Sequence, residues 1–298
     1  MSKFNNIDSV AIGVDVGGSH ISVALVDLES RVMMAESWNR TDVDASEGAK
    51  EIIAVWSAAI SKTFYSLNLA INHIGIGMPG PFDYENGISY IKGQDKYDAL
   101  YGLNVKELLA EAMGISPNQI LLMNDAACFL LGEVFGGSAK EYNKVLGLTL
   151  GTGLGASVFK DHYAFDAELW NTPFKEGIAE DYLSTRWFVK RYFELSGKDI
   201  ENVKNLADRS STDIMANKVF REYGENLAFF LNECLGSEDF EAVILGGNIA
   251  KAYSIFESSL KANLKPKFKN IIHVATLGEE ASIVGASSLW HPDVQLSK

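Results

Sequence analysis

Two stretches of this chain share one local pattern, and together they restrict its fold more than any other feature. The first is Val10-Ala-Ile-Gly-Val-Asp-Val-Gly-Gly-Ser-His-Ile-Ser-Val-Ala-Leu25, and the second is Val145-Leu-Gly-Leu-Thr-Leu-Gly-Thr-Gly-Leu-Gly-Ala-Ser-Val-Phe159. In each, an apolar run ends in a small polar residue, Asp15 or Thr149, and passes through a turn of Gly, Ser and Thr. Alternating β-branched and apolar residues follow, which is the pattern of a β-hairpin. The turn glycines, Gly17 and Gly18 in one copy and Gly151 and Gly153 in the other, permit positive φ. Successive backbone N–H groups can then face one concavity and hold phosphate oxygens. One such turn is also consistent with an ordinary glycine hairpin. Two copies predict duplicated half-domains that face each other across a cleft and hold a polyphosphate from both sides.

With 298 residues, 47% of them hydrophobic, the chain can bury a large core, and its length favours two domains. A formal net charge of −13 argues against a nucleic-acid surface, which needs clustered Lys and Arg. The lysines between Lys261 and Lys269 read as a solvated loop after a helix. An acidic chain can still take a nucleotide, whose charge backbone amides and Mg²⁺ can neutralise. Cys128 and Cys234 are far apart and no Cys-x-x-Cys pair exists, so a disulfide framework and a thiolate zinc site are excluded. Both cysteines fall in apolar helical stretches and are expected to be buried spectators. Met1 to Asp8 lacks the features of a signal peptide and no run of about 18 apolar residues occurs, so the expected location is cytoplasmic, without a membrane partner.

Along the chain, strands are expected at 10–16 and 21–26, followed by a polar stretch and a helix over 47–67. The apolar stripe of that helix is Ile52, Ile53, Trp56, Ile60, Phe64 and Leu67. A strand at 73–77 runs into the turn Met78-Pro-Gly-Pro81. A helix over 105–113 ends at Gly114, and a strand at 119–123 delivers Asn124 and Asp125 to a helix over 126–135. After the second hairpin come an irregular stretch at 160–178 and helices over 179–195 and 213–235. Then follow a buried strand ending in Gly246-Gly-Asn248, a helix over 249–263, a strand at 271–275 and a helix over 281–290. This alternation indicates an α/β architecture.

Five segments in this order carry a family resemblance: Asp15-Val-Gly-Gly-Ser19, Gly75-Ile-Gly-Met-Pro-Gly-Pro81, Asn124-Asp-Ala-Ala127, Leu150-Gly-Thr-Gly-Leu-Gly155 and Leu245-Gly-Gly-Asn248. Over nearly its whole length the chain resembles the ROK family of bacterial sugar kinases and sugar-responsive repressors, within the sugar-kinase, actin and heat-shock ATPase fold. The resemblance implies an α/β fold of two ribonuclease H-like (actin-like ATPase) domains around a central cleft. The N-terminal domain would span 1–122, joined by the C-terminal helix at about 280–298, and the larger C-terminal domain 123–279. It also implies that the first and fourth segments bind ATP phosphates, that the Asn-Asp pair meets the sugar, and that the last segment lies beside the adenosine. Two departures stand out. Where the family has Glu-x-Gly-His followed by a cysteine-rich zinc loop, this chain has Glu168-Leu-Trp-Asn171 and no such cysteines, so no structural zinc is expected. The later family pattern Glu-x-Tyr-x-Ser is retained as Glu180-Asp-Tyr-Leu-Ser184.

Phosphoryl transfer to a sugar needs a held nucleotide, a metal, an oriented hydroxyl and a group to accept its proton. Asp125, where a strand meets a helix, is the expected base. Asn and Asp also cap helices readily, and capping by Asn124 can coexist with catalysis by Asp125. Asp15, at the end of the first strand, is expected to hold Mg²⁺, through water. Gly17, Gly18, Ser19, Gly151, Thr152, Gly153, Gly246, Gly247 and Asn248 are the expected nucleotide contacts. Asn124, Glu168, Glu180, Asn171 and Gly80 are the expected sugar contacts, because carboxylates and amides match pairs of sugar hydroxyls. Asn171 offers a shorter group than the family's imidazole.

The resulting expectation is an ATP- and Mg²⁺-dependent hexose kinase acting on a terminal hydroxyl, with the 6-position of glucose as the best single choice. The alternative is a ROK-type sugar-sensing regulator without kinase activity. The first strand begins by about residue 10, which is expected to leave no room for a DNA-binding module. A scaffold of the same fold would have no need of Asp15, Asp125 and both glycine turns. By analogy with relatives, a homodimer is a further expectation.

Overall fold

The computed structural model describes residues 9–65, 73–94 and 96–295. Leu67 of the expected helical stripe lies outside the described residues, as does the side chain of Phe64. The chain divides into two compact units. Among the described residues, one comprises those up to Lys140 together with Asp161–Phe165 and those from Glu279 onward; the other comprises Glu141–Lys160 and Asp166–Gly278.

In the first unit, strand Val10–Val16 lies between an antiparallel partner, His20–Asp27, and a parallel one, Ile74–Met78, which in turn pairs in parallel with Ile120–Asn124. The central strand is buried on both faces, with Val10, Ala11, Ile12 and Val14 all inside. That follows from a sheet covered by helices on each side. Helix Ala49–Tyr65 contributes Ile52, Ile53, Trp56 and Ile60 to the core. Helix Ala281–Ser288 packs against the strands Val10–Val16 and Ile74–Met78 and against helix Asp125–Phe135.

The fit of that last helix depends on residues without side chains. A Cβ on Gly13 would stand 2.0 Å from the carbonyl oxygen of Ile283, and one on Gly75 would stand 1.8 Å from that of Ala286. On the helix side, a Cβ on Gly132 would meet Ala281 O at 1.9 Å, and one on Gly285 would meet Cys128 O at 1.8 Å. Backbone therefore rests on backbone across two interfaces, and no rotamer change could relieve an added methyl group.

The second unit repeats this plan. Strand Lys144–Leu150 pairs antiparallel with Leu154–Lys160 and parallel with Ala242–Gly246, beyond which lies Ile272–Val274. The duplication expected from the two glycine hairpins is thus present as a repeated order of a hairpin followed by parallel strands. The core of this unit is aromatic. Phe188 packs against Phe220 and Tyr223 with ring centroids 5.1 and 4.6 Å apart, and Phe256 meets Tyr223 at 5.2 Å.

Several local expectations need correction. The helix over 179–195 is two helices, Ala179–Leu183 and Thr185–Ser196, because Ser184 is extended and the Thr185 N–H is drawn to Gly151 O instead of the preceding turn. The 213–235 helix is regular only over Ile214–Phe229 and continues as a π-turn over Phe230–Cys234, which leaves Cys234 half-buried while Cys128 is fully buried. The 249–263 segment divides into Gly247–Ala250 and Tyr253–Asn263. Helix Val203–Arg209 was not anticipated, nor were the short strands Val32–Met33 and Asn39–Asp42 in the polar stretch. The lysine run is not simply solvated: Lys265 donates to Asn232 O, and Lys267 to Gly236 O and Glu238 O. No described helix is long and apolar enough to cross a membrane.

Replacing Gly75 with Ala is expected to destabilise the protein by about 3 kcal/mol through overpacking of backbone against backbone. A lowered urea midpoint at unchanged slope is the readout; an unchanged midpoint would contradict the close approach.

Candidate active site

Strand register brings the candidate residues of the first unit together. Asp15 is level with Gly77 on the neighbouring parallel strand, and Gly77 is level with Met123 on the next. All three positions lie at the carboxyl ends of parallel strands, where α/β sheets bind ligands. Adjacent strands are about 4.8 Å apart, so Asp15 and Met123 are separated by about 10 Å of backbone, and Asp125 opens a helix just past Met123. The space between is kept open by Gly77, and it is floored by Cys128, whose Sγ would be 3.3 Å from a Cβ at that position.

Asp125 alters the chemistry of Asp15. Burial pushes Asp15 up to about 7, with further upward contributions from Asp125 and Glu279 and an opposing one from Arg40. Burial also raises Asp125, opposed by the Ala126 N–H that donates to its Oδ1 at 2.9 Å and by the charge of Lys96. The thiol of Cys128 is raised well above its ordinary range by burial and by both carboxylates, so it stays protonated and unreactive.

Asn124 is the helix cap. Its Oδ1 accepts from Ala127 N at 3.1 Å, and its Nδ2 donates to the Tyr84 hydroxyl at 3.2 Å. That hydroxyl donates in turn to Met78 O at 3.1 Å. Gly80 borders the same group, since a Cβ there would stand 3.1 Å from the Tyr84 hydroxyl. Capping thus fixes the orientation of Asn124 and starts the helix at Asp125, where the N-terminal dipole favours the ionised carboxylate and partly offsets burial.

The turn after Asp15 is held from two directions. Gly17 N donates to His20 O at 2.9 Å, and Gly17 O accepts from the Tyr97 hydroxyl at 2.5 Å. Tyr97 is buried edge-on against Trp56 at 5.1 Å, and its own N–H is bonded to Ala45 O. Gly18 and Ser19 remain exposed. Beside them, the His20 ring lies 3.3 Å from Ser19 Oγ and 3.2 Å from Arg40, which pairs with Glu279 at 3.4 Å. Sequence reasoning missed Tyr84, Tyr97, Arg40 and Lys96, because none lies in a motif; the fold alone brings them to the turn and the acids.

In the second unit the expected nucleotide residues also converge. Gly246 is level with Thr149 on adjacent parallel strands, and the exposed Gly247 and Asn248 open the following helix. Gly151 N donates to Gly153 O, while Gly151 O accepts from both the backbone N–H and the hydroxyl of Thr185, at 2.8 and 2.9 Å. Thr152 is exposed at the tip. The expectation of left-handed backbone at the turn glycines is not met: neither Gly17, Gly18, Gly151 nor Gly153 has positive φ. At Gly153 the requirement is space, since a Cβ would stand 2.6 Å from Glu180 Oε2. Gly247 does need the left-handed region, with φ +83°.

Glu180 borders this turn. Its Oε2 accepts from Leu154 N at 3.0 Å and its Oε1 pairs with Arg186 at 2.5 Å. Glu168 and Asn171 are exposed at either end of a short 3₁₀ turn, which packs against the helix that carries Glu180. Among the described residues no group of three or more His, Cys, Asp or Glu is arranged to hold a metal ion.

The profile of the ROK family matches residues 11–166 and 174–293. The chain belongs to the ROK family. Among curated relatives, the glucokinase of Thermotoga maritima is 26% identical, over 93% of this chain and 96% of its own. The xylose repressor of Bacillus subtilis is 22% identical, over 97% of this chain and 79% of the repressor. Among solved structures, a ROK family glucokinase from Streptomyces griseus, in complex with glucose and AMPPNP, superposes with a TM-score of 0.73 at 21% identity, covering 94% of this chain and 98% of that one. The fold is therefore that of the ROK sugar kinases, with two actin-like ATPase domains.

Asp15 sets a pH dependence of stability. Its folded value of about 7 lies above the ordinary 3.8, so between these values the folded protein keeps a proton that the unfolded chain has lost. Stability therefore falls as pH rises through that window and levels off above it. The uncharged Asp15→Asn variant is expected to gain on the wild type by about 1–3 kcal/mol between pH 4.5 and 7.5, read by urea unfolding at both pH values. A constant difference would show that Asp15 is not perturbed.

Proposed function

We propose that this protein is an ATP-dependent hexose kinase that transfers the γ-phosphoryl group to a sugar hydroxyl, with the 6-hydroxyl of glucose or a related hexose as acceptor. The observation that carries this reading is the pair of half-buried acids, Asp15 at the end of a parallel strand and Asp125 at the start of the helix that follows another, beside an exposed glycine turn. Its membership of a family that includes glucokinases supports it.

In this reading the turns at Gly17-Gly18-Ser19 and Gly151-Thr152-Gly153, with Gly246, Gly247 and Asn248, hold the nucleotide through backbone amides and hydroxyls. Asn124, Glu168, Asn171 and Glu180 orient the sugar, and Gly80 allows backbone to approach it. The sugar oxygen attacks the γ-phosphorus as the bond to the bridging oxygen breaks, and the electron pair leaves on ADP. The hydroxyl proton passes to Asp125, whose raised proton affinity suits a general base. Asp15 fits Mg²⁺: it offers a hard oxygen donor, and a divalent cation would restore its ionised form. When bound, that ion neutralises phosphate charge.

An ADP-release screen over aldohexoses, ketohexoses and N-acetylhexosamines with Mg²⁺ and ATP tests the assignment, with glucose expected to turn over fastest. Asp125→Asn is expected to lower kcat by about 10²–10⁴-fold while the sugar Kd changes little. Equal losses of binding and rate would assign Asp125 to recognition. Sugar binding without turnover of any hexose would favour a regulatory protein instead.

A further inference from the structure

We propose that Lys96 is a catalytic residue of this transfer, its ammonium group meeting the γ-phosphoryl oxygens between the Gly17-Gly18 turn and Asp125. The inference rests on the kinase reading above.

The placement comes from two neighbours. Cδ of Lys96 lies 3.8 Å from the position a Cβ on Gly18 would occupy, so the lysine stem runs along the exposed side of the turn. At the other end, the positive charge acts on Asp125 and favours its ionised form. A cation reaching both the phosphate-holding turn and the base is placed where negative charge moves during transfer.

The segment carrying Lys96 is also fixed to that turn. The next residue, Tyr97, has a left-handed backbone (φ +58°), donates its hydroxyl to Gly17 O, and is buried against Trp56. The root of the Lys96 side chain is therefore held in place, while its four methylenes let the ammonium follow the phosphoryl group. Lysine suits this task as a compact charge with three donors. The hydroxyl proton still goes to Asp125. Arg40, whose charge acts on Asp15, is engaged by Glu279 and His20.

The test compares Lys96→Met and Lys96→Arg with the wild type. Calorimetric titrations with Mg²⁺-ADP and Mg²⁺-AMPPNP report nucleotide binding, and kcat is measured with the best hexose. Lys96→Met is expected to weaken AMPPNP about 10-fold, to leave ADP within about 2-fold, and to lower kcat about 100-fold or more. If Lys96→Met does not fold, Lys96→Arg carries the test, with kcat at least about 10-fold lower at unchanged ADP affinity, because its planar fork replaces a point charge. Equal weakening of both nucleotides, or no change in AMPPNP affinity and kcat, overturns the inference. So does a wild-type protein that binds neither nucleotide. A wild type that binds AMPPNP yet phosphorylates no hexose defeats the kinase reading alone, because the AMPPNP-to-ADP ratio still decides whether Lys96 meets the third phosphate.

Discussion

The contact on which the first unit depends is the direct seating of helix Ala281–Ser288 on neighbouring main chain at Gly13, Gly75 and Gly132. These glycines bring the helix closer than any side chain would allow, and this sets the spacing of the sheet, the final helix and helix Asp125–Phe135. Gly13 precedes Asp15 by two residues, and Gly132 lies two turns along the helix that Asp125 opens. The close packing therefore also fixes the separation of the two acids. The polar groups it buries are satisfied locally: Ser287 and Ser288 donate to the carbonyls of Val284 and Gly285.

On that frame the two glycine turns are stabilised in the same way by unrelated residues. In one, the first turn glycine has its carbonyl fastened by the Tyr97 hydroxyl; in the other, the corresponding carbonyl is fastened by Thr185. Fastening the carbonyl fixes the course of each turn, while the amide of the same glycine is taken up within it, by His20 O in one and Gly153 O in the other. The duplicated units thus share the strand order and the constraint on the turn, while the residue that supplies the constraint comes from a different part of each unit.

Most of this architecture was legible in the sequence because its signals are local. Strand Val10–Val16, helix Val105–Met113 with its Gly114 cap, and the Asn124 cap of the next helix each follow from periodicity and terminal residues. The break at Ser184 was not legible, because it is caused by a carbonyl more than thirty residues earlier in the chain. Nor was the reason for Gly153, which the sequence suggests is conformational and the structure shows to be the space occupied by the Glu180 carboxylate. For the site, Asp15, Asn124 and Asp125 carry motif signals. Tyr84, Tyr97 and Lys96 carry none, since an isolated Tyr or Lys in a loop is defined only by what the tertiary fold sets beside it.

The return of helix Ala281–Ser288 to the first unit also has a consequence for biosynthesis. The sheet bearing Asp15 and the helix opened by Asp125 leave the ribosome before the second unit, yet the helix that seats on them emerges only after the whole of that unit. The nascent sheet must therefore wait with one apolar face uncovered while the second unit completes its own aromatic core, which makes this interval the aggregation-prone stage of synthesis.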